Sequence, residues 1–492
     1  MRQTKMIGTI TSDWCRLLKR IPKASRALAA DKLSAVLTRI VAKPDDMEAW
    51  RDLLRFSHAC FAVPGNRGGK RHQSSLTTKV NKALSAFPDV FQRHQSNQEP
   101  SRRRANTADS NLGLRISEKL EDGDVRGAIR LAASDDSMAP HDEKTLAALR
   151  LEHPPRRPAS SDGSPLPTST NSELPPPLMV HERDIIEAIK SFPAGSAGGV
   201  DGLRPQHIKD MTSVHTGEAG VRLVSRLIEF ANMCLAGLVP SAVRPVFCGA
   251  SLCALNKSDG GIRPIAVGCT LRRLVAKMAS KAVQEKMAAK MAPTQLGFGI
   301  KQGTEAAAHA ARRFLQNILP GQALLKLDFV NAFNTISRDE MLRTIRDELP
   351  ELFPFISTCY SSSSHLCFGE FLICSDEGTQ QGDPLGPLLF CASSLKLARL
   401  MTALLNIWYM DDGTLGGNVD VLIEDFETVQ RVGSSLGLVL NERKCELITD
   451  DMDVVEKFKT IAPSIMHISS SQAILLGAPI GSTEEIDVIL EK

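Results

Sequence analysis

The sequence lacks the features that would place it outside the cell or inside a membrane. Its eleven cysteines include no CxxC pair, and no histidine stands at zinc-finger spacing from Cys248, Cys253 and Cys269, the nearest approach to a ligand cluster. The thiols therefore read as small buried side chains in a reducing compartment. No apolar run is long enough to span a bilayer. The N-terminus has no signal-peptide core. Up to Ala30 it is rich in Lys and Arg and poor in acids, which reads as a basic solvated helix and only weakly resembles a transit peptide. No internal repeat is present.

A chain of 492 residues, 42% of them hydrophobic, can bury a large core in two or more domains. Its net charge of +3 is unevenly spread. In residues 1–150, 27 Lys and Arg stand against 17 Asp and Glu, a balance of +10, so the remainder carries −7. A basic front part favours a polyanion such as nucleic acid, whereas an acidic remainder suits an enzyme that gathers carboxylates around metal.

Residues 1–150 read as a mostly helical basic region, with a mobile Gly-, Gln-, Ser- and Arg-rich stretch at 64–106. That stretch holds the basic tracts 67–72 and 102–104, which are either solvated loops or phosphate contacts. Residues 112–150 read as two short helices broken at DDSMAP. Dense Pro, Ser and Thr at 153–177 cannot pack a core, and residues 151–178 form a linker. VHERDIIEAIKSF then gives an amphipathic helix. From about Phe247 strands and helices alternate. CGASLCALNKSDGGIRPIAVG reads as two strands with a turn at 258–261, and 271–291 and 304–318 as helices. ALLKLDF reads as a strand, SRDEMLRTIRDEL as a helix and LCFGEFLIC as a strand. PLGPLLFCASSLKLARLMTALL reads as one long helix, and NIWYMDDGTLGG as strand, tight turn, strand. This order gives an α+β domain with its acids on sheet edges or turns.

Three runs carry the chemistry. KLDFVNAFN places Asp328 at the end of an apolar stretch, QQGDPLGPLLF covers 380–390, and WYMDDGTLGG holds Asp411 and Asp412. Ionised acids at the ends of buried strands lose hydration, and divalent metal is the usual partner that offsets such charge. A pair of cations ~4 Å apart needs carboxylates from two different strands, which Asp328 and a hairpin tip at Asp411 could supply. A bare Asp-Asp pair in a turn is otherwise an ordinary solvated turn. Order and spacing shift the balance: 53 residues separate Asp328 from Gln381, and 30 separate Gln381 from Asp411.

These runs resemble the reverse transcriptase domain of non-LTR, LINE-like retrotransposons, over roughly residues 180–481. KLDFVNAF resembles the family's first catalytic motif, TQQGDPLGP its template-and-substrate motif and YMDD its metal-binding hairpin. LGLVLNERKCEL resembles the next motif, with Lys444 at its lysine, and LLGAPIG the primer-grip region. Upstream, GGIRPIAVG resembles the fingers strand whose arginine meets the incoming triphosphate, and SAGGVDGL the loop before the fingers. QLGFGIKQGTEAAAHAAR resembles a stretch between fingers and palm. The resemblance implies a right-hand polymerase fold: fingers and an antiparallel palm sheet with packed helices at 179–470, then a primer-grip region and the start of a thumb at 471–492. It implies RNA-directed DNA polymerase activity on an RNA template, a DNA primer and dNTPs. Asp328, Asp411 and Asp412 would bind two Mg2+ ions, with Mn2+ as a substitute.

The remaining site residues are Lys257, Arg263, Phe333, Gln381, Gly382 and Lys444. Lys257 and Arg263 flank one turn, where both can face a triphosphate or simply be exposed basic residues of a hairpin. Phe333, five positions beyond Asp328, would occupy the space of a ribose 2′-hydroxyl and select deoxynucleotides, or else is a core residue after a strand. Gln381 and Gly382 suit a loop passing close to a base pair, with Pro384 in the first turn of the next helix. Lys444 would assist pyrophosphate departure, or is a surface lysine. Gly386 and Asn334 stand where the family usually has Ser and often has Asp. The chain stops at Lys492, so the expectation includes a missing or barely begun thumb, and no endonuclease, RNase H or zinc-knuckle motif is seen. The alternative is an inactive nucleic-acid-binding remnant, and a weaker one is an RNA polymerase, against which the bulk of Phe333 argues. The expected compartment is the nucleus or cytoplasm, without membrane insertion.

Overall fold

The structure is a computed structural model that describes residues 16–63, 75–89, 113, 116–117, 119–121, 123–133, 137–157, 174–257 and 260–481. The basic tracts 67–72 and 102–104, turn positions 258 and 259, linker residues 158–173 and the expected start of a thumb at 482–492 lie outside the described residues. The strands are β1 (Ser137–Met138), β2 (Ala250–Asn256), β3 (Ile262–Gly268), β4 (Gln322–Leu327), β5 (Ser364–Phe368), β6 (Phe371–Ser375), β7 (Leu405–Tyr409), β8 (Asp412–Asn418), β9 (Glu446–Ile448), β10 (Met466–Ile468), β11 (Ile474–Leu475) and β12 (Ala478–Pro479). The chain is mixed α and β, with a helical N-terminal region and mostly antiparallel sheets. It divides into two compact units. One is drawn from Met1–Glu152, Glu173–Met278 and Pro354–Ser375, the other from His153–Ser172, Ala279–Phe353 and Asp376–Lys492. Among the described residues no helix is long and apolar enough to cross a membrane.

In the first unit the N-terminal helices are Arg26–Ala42, Met47–Cys60 and Leu76–Ala86. The second begins at Asp46, whose carboxylate accepts the Glu48 and Ala49 N–H groups. The third lies within the stretch read as mobile. Ser75 caps it, and Val80 and Leu84 are its buried face. These helices join the helical residues that precede the sheet. Trp50 packs against Phe230 and Phe247, with ring centroids 5.7 and 5.3 Å away. Asp210 accepts the Ile21 N–H at 2.8 Å and pairs with Arg26 at 2.9 Å.

The sheet of this unit runs β1-β2-β5-β6, with β3 on β2. DDSMAP supplies β1 instead of a simple break, because Ser137 and Met138 pair antiparallel with β2. LCFGEFLIC is a hairpin, not one strand: Gly369 reverses the chain at φ +57° between β5 and β6.

The second unit is built on a sheet of order β10-β9-β4-β8-β7. All its pairings are antiparallel except β9 with β10. Strand β4 is central and buried on both faces. Ala323, Leu325 and Leu327 enter a core with Phe390, Leu397, Phe426 and Phe458, while Leu324 enters another with Leu296, Ala307, Ala311 and Ile448. The helix after QQGDPLGP spans Gly386–Ala398 and ends earlier than its apolar run suggests. The Asn406 side-chain amide donates to the Ala398 carbonyl at 2.7 Å, and Leu405 begins β7. Arg156 and Arg157, the start of the linker read from sequence, are anchored in this unit. Arg156 pairs with Asp339 at 2.6 Å and the Arg157 N–H donates to Glu377 at 2.8 Å.

The loop SAGGVDGL is packed tightly in the first unit. A Cβ on Gly199 would lie 2.6 Å from the Gly268 backbone, so only glycine fits. Asp201 beside it is buried, and burial raises its carboxyl to about 7, more than the Arg273 charge lowers it. A carboxyl raised on folding contributes stability that is fully present below its unfolded value of 3.8 and lost as pH rises through about 7. The stability of the wild type relative to Asp201→Asn should therefore fall across that window, by at most ~1.4 kcal/mol per pH unit, and level off above it. Urea unfolding of both proteins across this range checks it, and a difference independent of pH would contradict the assignment.

Candidate active site at the end of the second-unit sheet

Strand β4 delivers Asp328. Its apolar residues commit the strand to the core, and the ladder with β8 closes at Leu327 opposite Gly413. The next positions on the two strands are Asp328 and Asp412, facing one another where pairing stops. Strands β7 and β8 form a hairpin in which Tyr409 pairs with Asp412, leaving Met410 and Asp411 as a two-residue turn. Trp408 lies under the hairpin. It is 1% exposed, its indole N–H donates to Asn406, and it stacks on Phe329 at 6.1 Å. Gly413 admits that indole, since a Cβ there would lie 3.0 Å from the ring.

The three carboxyl groups sense one another. Burial raises Asp411, its own backbone N–H opposes this, and the charge of Asp328 adds to the rise. Asp412 reaches solvent at the tip, yet the protein around it removes enough water to raise its carboxyl to about 6. Asp411 and then Asp328 add repulsion, and Lys326 opposes it. Lys326 itself bonds Glu446 at 2.6 Å and the Ile474 carbonyl at 2.9 Å. Among the described residues no group of three or more His, Cys, Asp or Glu is gathered tightly enough to enclose a metal ion. The donors nonetheless fit a hard cation, which needs only one or two carboxylates and completes its shell with water and substrate phosphate. Two thiols lie against the site. Cys445 takes the Asp328 N–H at 3.4 Å, and burial pushes its thiol up to about 11. Burial, with the charge of Asp411, raises Cys391 further. Both stay protonated at neutral pH and form a weakly polar floor, not a ligand set.

Phe333 is half-buried and stacks on Phe390 at 4.6 Å. Its carbonyl accepts the Thr379 N–H at 2.6 Å, which ties its loop to the one carrying Gln381. A Cβ on Gly378, at φ +64°, would lie 2.3 Å from the Asn334 backbone. Beneath this contact Arg338 is fully buried. Its N–H donates to Glu377 at 3.0 Å, and its guanidinium to the Gly378 carbonyl at 2.9 Å. Gln381 is half-buried and Gly382 exposed, at φ +119°, a conformation that favours glycine. Pro384 sits in the turn before the helix, and Pro387 occupies the first helical turn expected of it. Two turns intervene because Asp383 first closes its own, accepting the Leu385 N–H at 3.1 Å.

Lys444 is exposed in the short 3-10 turn Glu442–Lys444. That turn follows a segment paired with the Asp328 region: the Asn441 N–H donates to the Asp328 carbonyl at 2.8 Å. Lys257 and Arg263 belong to the first unit. The Lys257 N–H donates to the Gly261 carbonyl at 2.8 Å and Arg263 pairs with Leu255, so alternation puts both side chains on one face. Arg263 is exposed. Lys257 has an acidic neighbour invisible in the sequence, Glu152, a half-buried carboxyl that burial raises and the Lys257 charge lowers. The sequence reading also missed Gln295, whose amide grips the turn before Asp411. Its only signal was membership of QLGFGIKQ, which carried no role.

Residues 255–480 match the family model of reverse transcriptase (RNA-dependent DNA polymerase). No curated protein matches the chain. Among solved structures it is similar to apo telomerase from Candida tropicalis truncated from its C-terminal domain, at 13% identity and TM-score 0.32 over 54% of this chain and 71% of that one. It is similar to telomerase from Candida albicans in complex with the TWJ fragment of telomeric RNA, at 11% identity and TM-score 0.34 over 55% and 57%. The corresponding Candida tropicalis complex gives 13% and 0.32 over 49% and 53%. The chain thus spans little more than half of these two proteins. Residues 255–480 are a reverse transcriptase domain.

Proposed function

We propose that the chain is an RNA-directed DNA polymerase of the non-LTR retrotransposon type, extending a DNA primer on an RNA template with dNTPs. The observation that carries the reading is the gathering of Asp328, Asp411 and Asp412 at one end of the β4-β8-β7 ladder, inside the stretch that matches the family. The primer 3′-oxygen forms a bond to the α-phosphorus as the bond to the bridging oxygen breaks and pyrophosphate leaves. Two divalent cations, Mg2+ or Mn2+, would supply a lowered hydroxyl pKa and neutralise the leaving group. Asp328, Asp411 and Asp412 would hold them. Lys257 and Arg263, on one face of their hairpin, offer two positive charges to a triphosphate. Gln381 and Gly382 present an amide and a flexible backbone to the nascent pair. Phe333, braced on Phe390, stands as the sugar gate, and Lys444 supplies a positive charge or a proton to pyrophosphate.

Primer extension on an RNA template with dNTPs and Mg2+ tests this. Asp411→Asn and Asp328→Asn should each lower incorporation by ~100-fold or more. Extension undiminished in both would sink the assignment of these carboxylates. Salt-sensitive RNA binding with no incorporation by the wild type under either metal would instead favour the inactive remnant.

Phe333→Ala gives an independent check on sugar selection. It should raise ribonucleotide use relative to deoxynucleotide use by roughly tenfold to a hundredfold, read by single-nucleotide extension with each. An unchanged ratio would return Phe333 to a packing role.

A further inference from the structure

Met410, the residue before Asp411, adopts φ +57°. A side chain tolerates this left-handed region poorly unless its surroundings enforce it. Two-residue hairpin turns with positive φ at the first loop position favour glycine or asparagine there. Methionine has no such preference, so the conformation is imposed from outside the hairpin.

The enforcing group is one side chain. Gln295 is 0% exposed. Its Oε1 accepts the Met410 N–H at 2.8 Å, and its Nε2 donates to the Met410 carbonyl at 3.0 Å. The same Oε1 accepts the Gly297 N–H at 2.9 Å, which fixes which end of the amide is which. The neighbouring backbone holds Gln295 in place. The Trp408 N–H donates to the Thr294 carbonyl and the Leu296 N–H to the Trp408 carbonyl, each at 2.7 Å. Gly297 completes the grip, because a Cβ there would lie 2.3 Å from the Met410 nitrogen. Segment 294–297 therefore covers the edge of β7 and satisfies both polar groups of the strained residue.

We infer that Gln295 is a positioning residue for the reaction proposed above: by clamping the Met410 peptide groups it fixes the turn that aims the Asp411 carboxylate. It touches no substrate and acts through Met410. The inference rests on the proposed polymerase reading for its kinetic consequence, but the clamp itself can be read without any activity. Alanine at 295 removes three hydrogen bonds. Glutamate keeps the shape but loses the donor, and sets a carboxylate against the Met410 carbonyl.

The test uses the full chain and the variants Gln295→Ala, Gln295→Glu and Gln295→Ala combined with Met410→Gly. Amide hydrogen exchange at Met410 should accelerate about tenfold or more in Gln295→Ala and Gln295→Glu. In primer extension kcat should fall roughly tenfold to a hundredfold, with KM for dNTP little changed. Glycine at 410 adopts the turn unaided, so the double variant should recover part of the lost kcat, which loss of general stability would not allow. Wild-type exchange at Met410 in both single variants would overturn the clamp, whether or not the wild type polymerises. Accelerated exchange with unchanged kcat in an active enzyme would overturn the positioning role and leave the polymerase reading standing. A fall in kcat that Met410→Gly does not relieve would also overturn it.

Discussion

Repulsion between like charges is the constraint around which the second unit is arranged. Three carboxyl groups lie near one another where the β4-β8-β7 ladder ends, and their environment raises those of Asp411 and Asp412 from their ordinary value. The opposing free energy comes from burial of β4 on both faces and from the hairpin packed beside it, so the strand ends cannot separate without opening two cores. Lys326 contributes a nearby positive charge, which it shares with Glu446 and the Ile474 carbonyl.

The loops around the carboxylates are tied to one another by backbone bonds as well as by side chains. The Gly378 N–H meets the Ile336 carbonyl at 3.0 Å and the Thr379 N–H meets that of Phe333, so two motifs distant in sequence share one local ladder. Glu377 closes it from below by accepting the N–H groups of Arg338 and Arg157. Close backbone approach explains the glycine at 378, and the buried Arg338 guanidinium is met by the Gly378 carbonyl while Glu377 accepts the Arg338 backbone N–H.

In the first unit the N-terminal helices are part of the core that precedes the sheet. His207 shows the same economy of polar burial. Its ring bonds the Leu18 carbonyl at 2.8 Å, and burial lowers it to about 4, so it is neutral at physiological pH. The first basic stretch of the chain thus has a structural role through residues 18–60, whatever its surface contacts.

The sequence by itself determined the local elements and the identity of the charged groups. A short apolar run placed β4, a strand–turn–strand pattern placed β8, helical spacing placed Glu182–Ser191 and Arg338–Glu348, and acids at the end of an apolar strand and at a hairpin tip marked Asp328 and Asp411. These follow from side-chain hydration and backbone geometry over a few residues, which a string of residues records. Only the tertiary structure decided that Gln295 reaches Met410 across 115 positions, that Cys391 and Cys445 floor the acids, and that Glu152 stands beside Lys257. It also decided that LCFGEFLIC folds back on itself and that Pro387 takes the helical turn expected of Pro384. Such pairings depend on where the chain returns in space, and the packing of whole strands and helices sets that return.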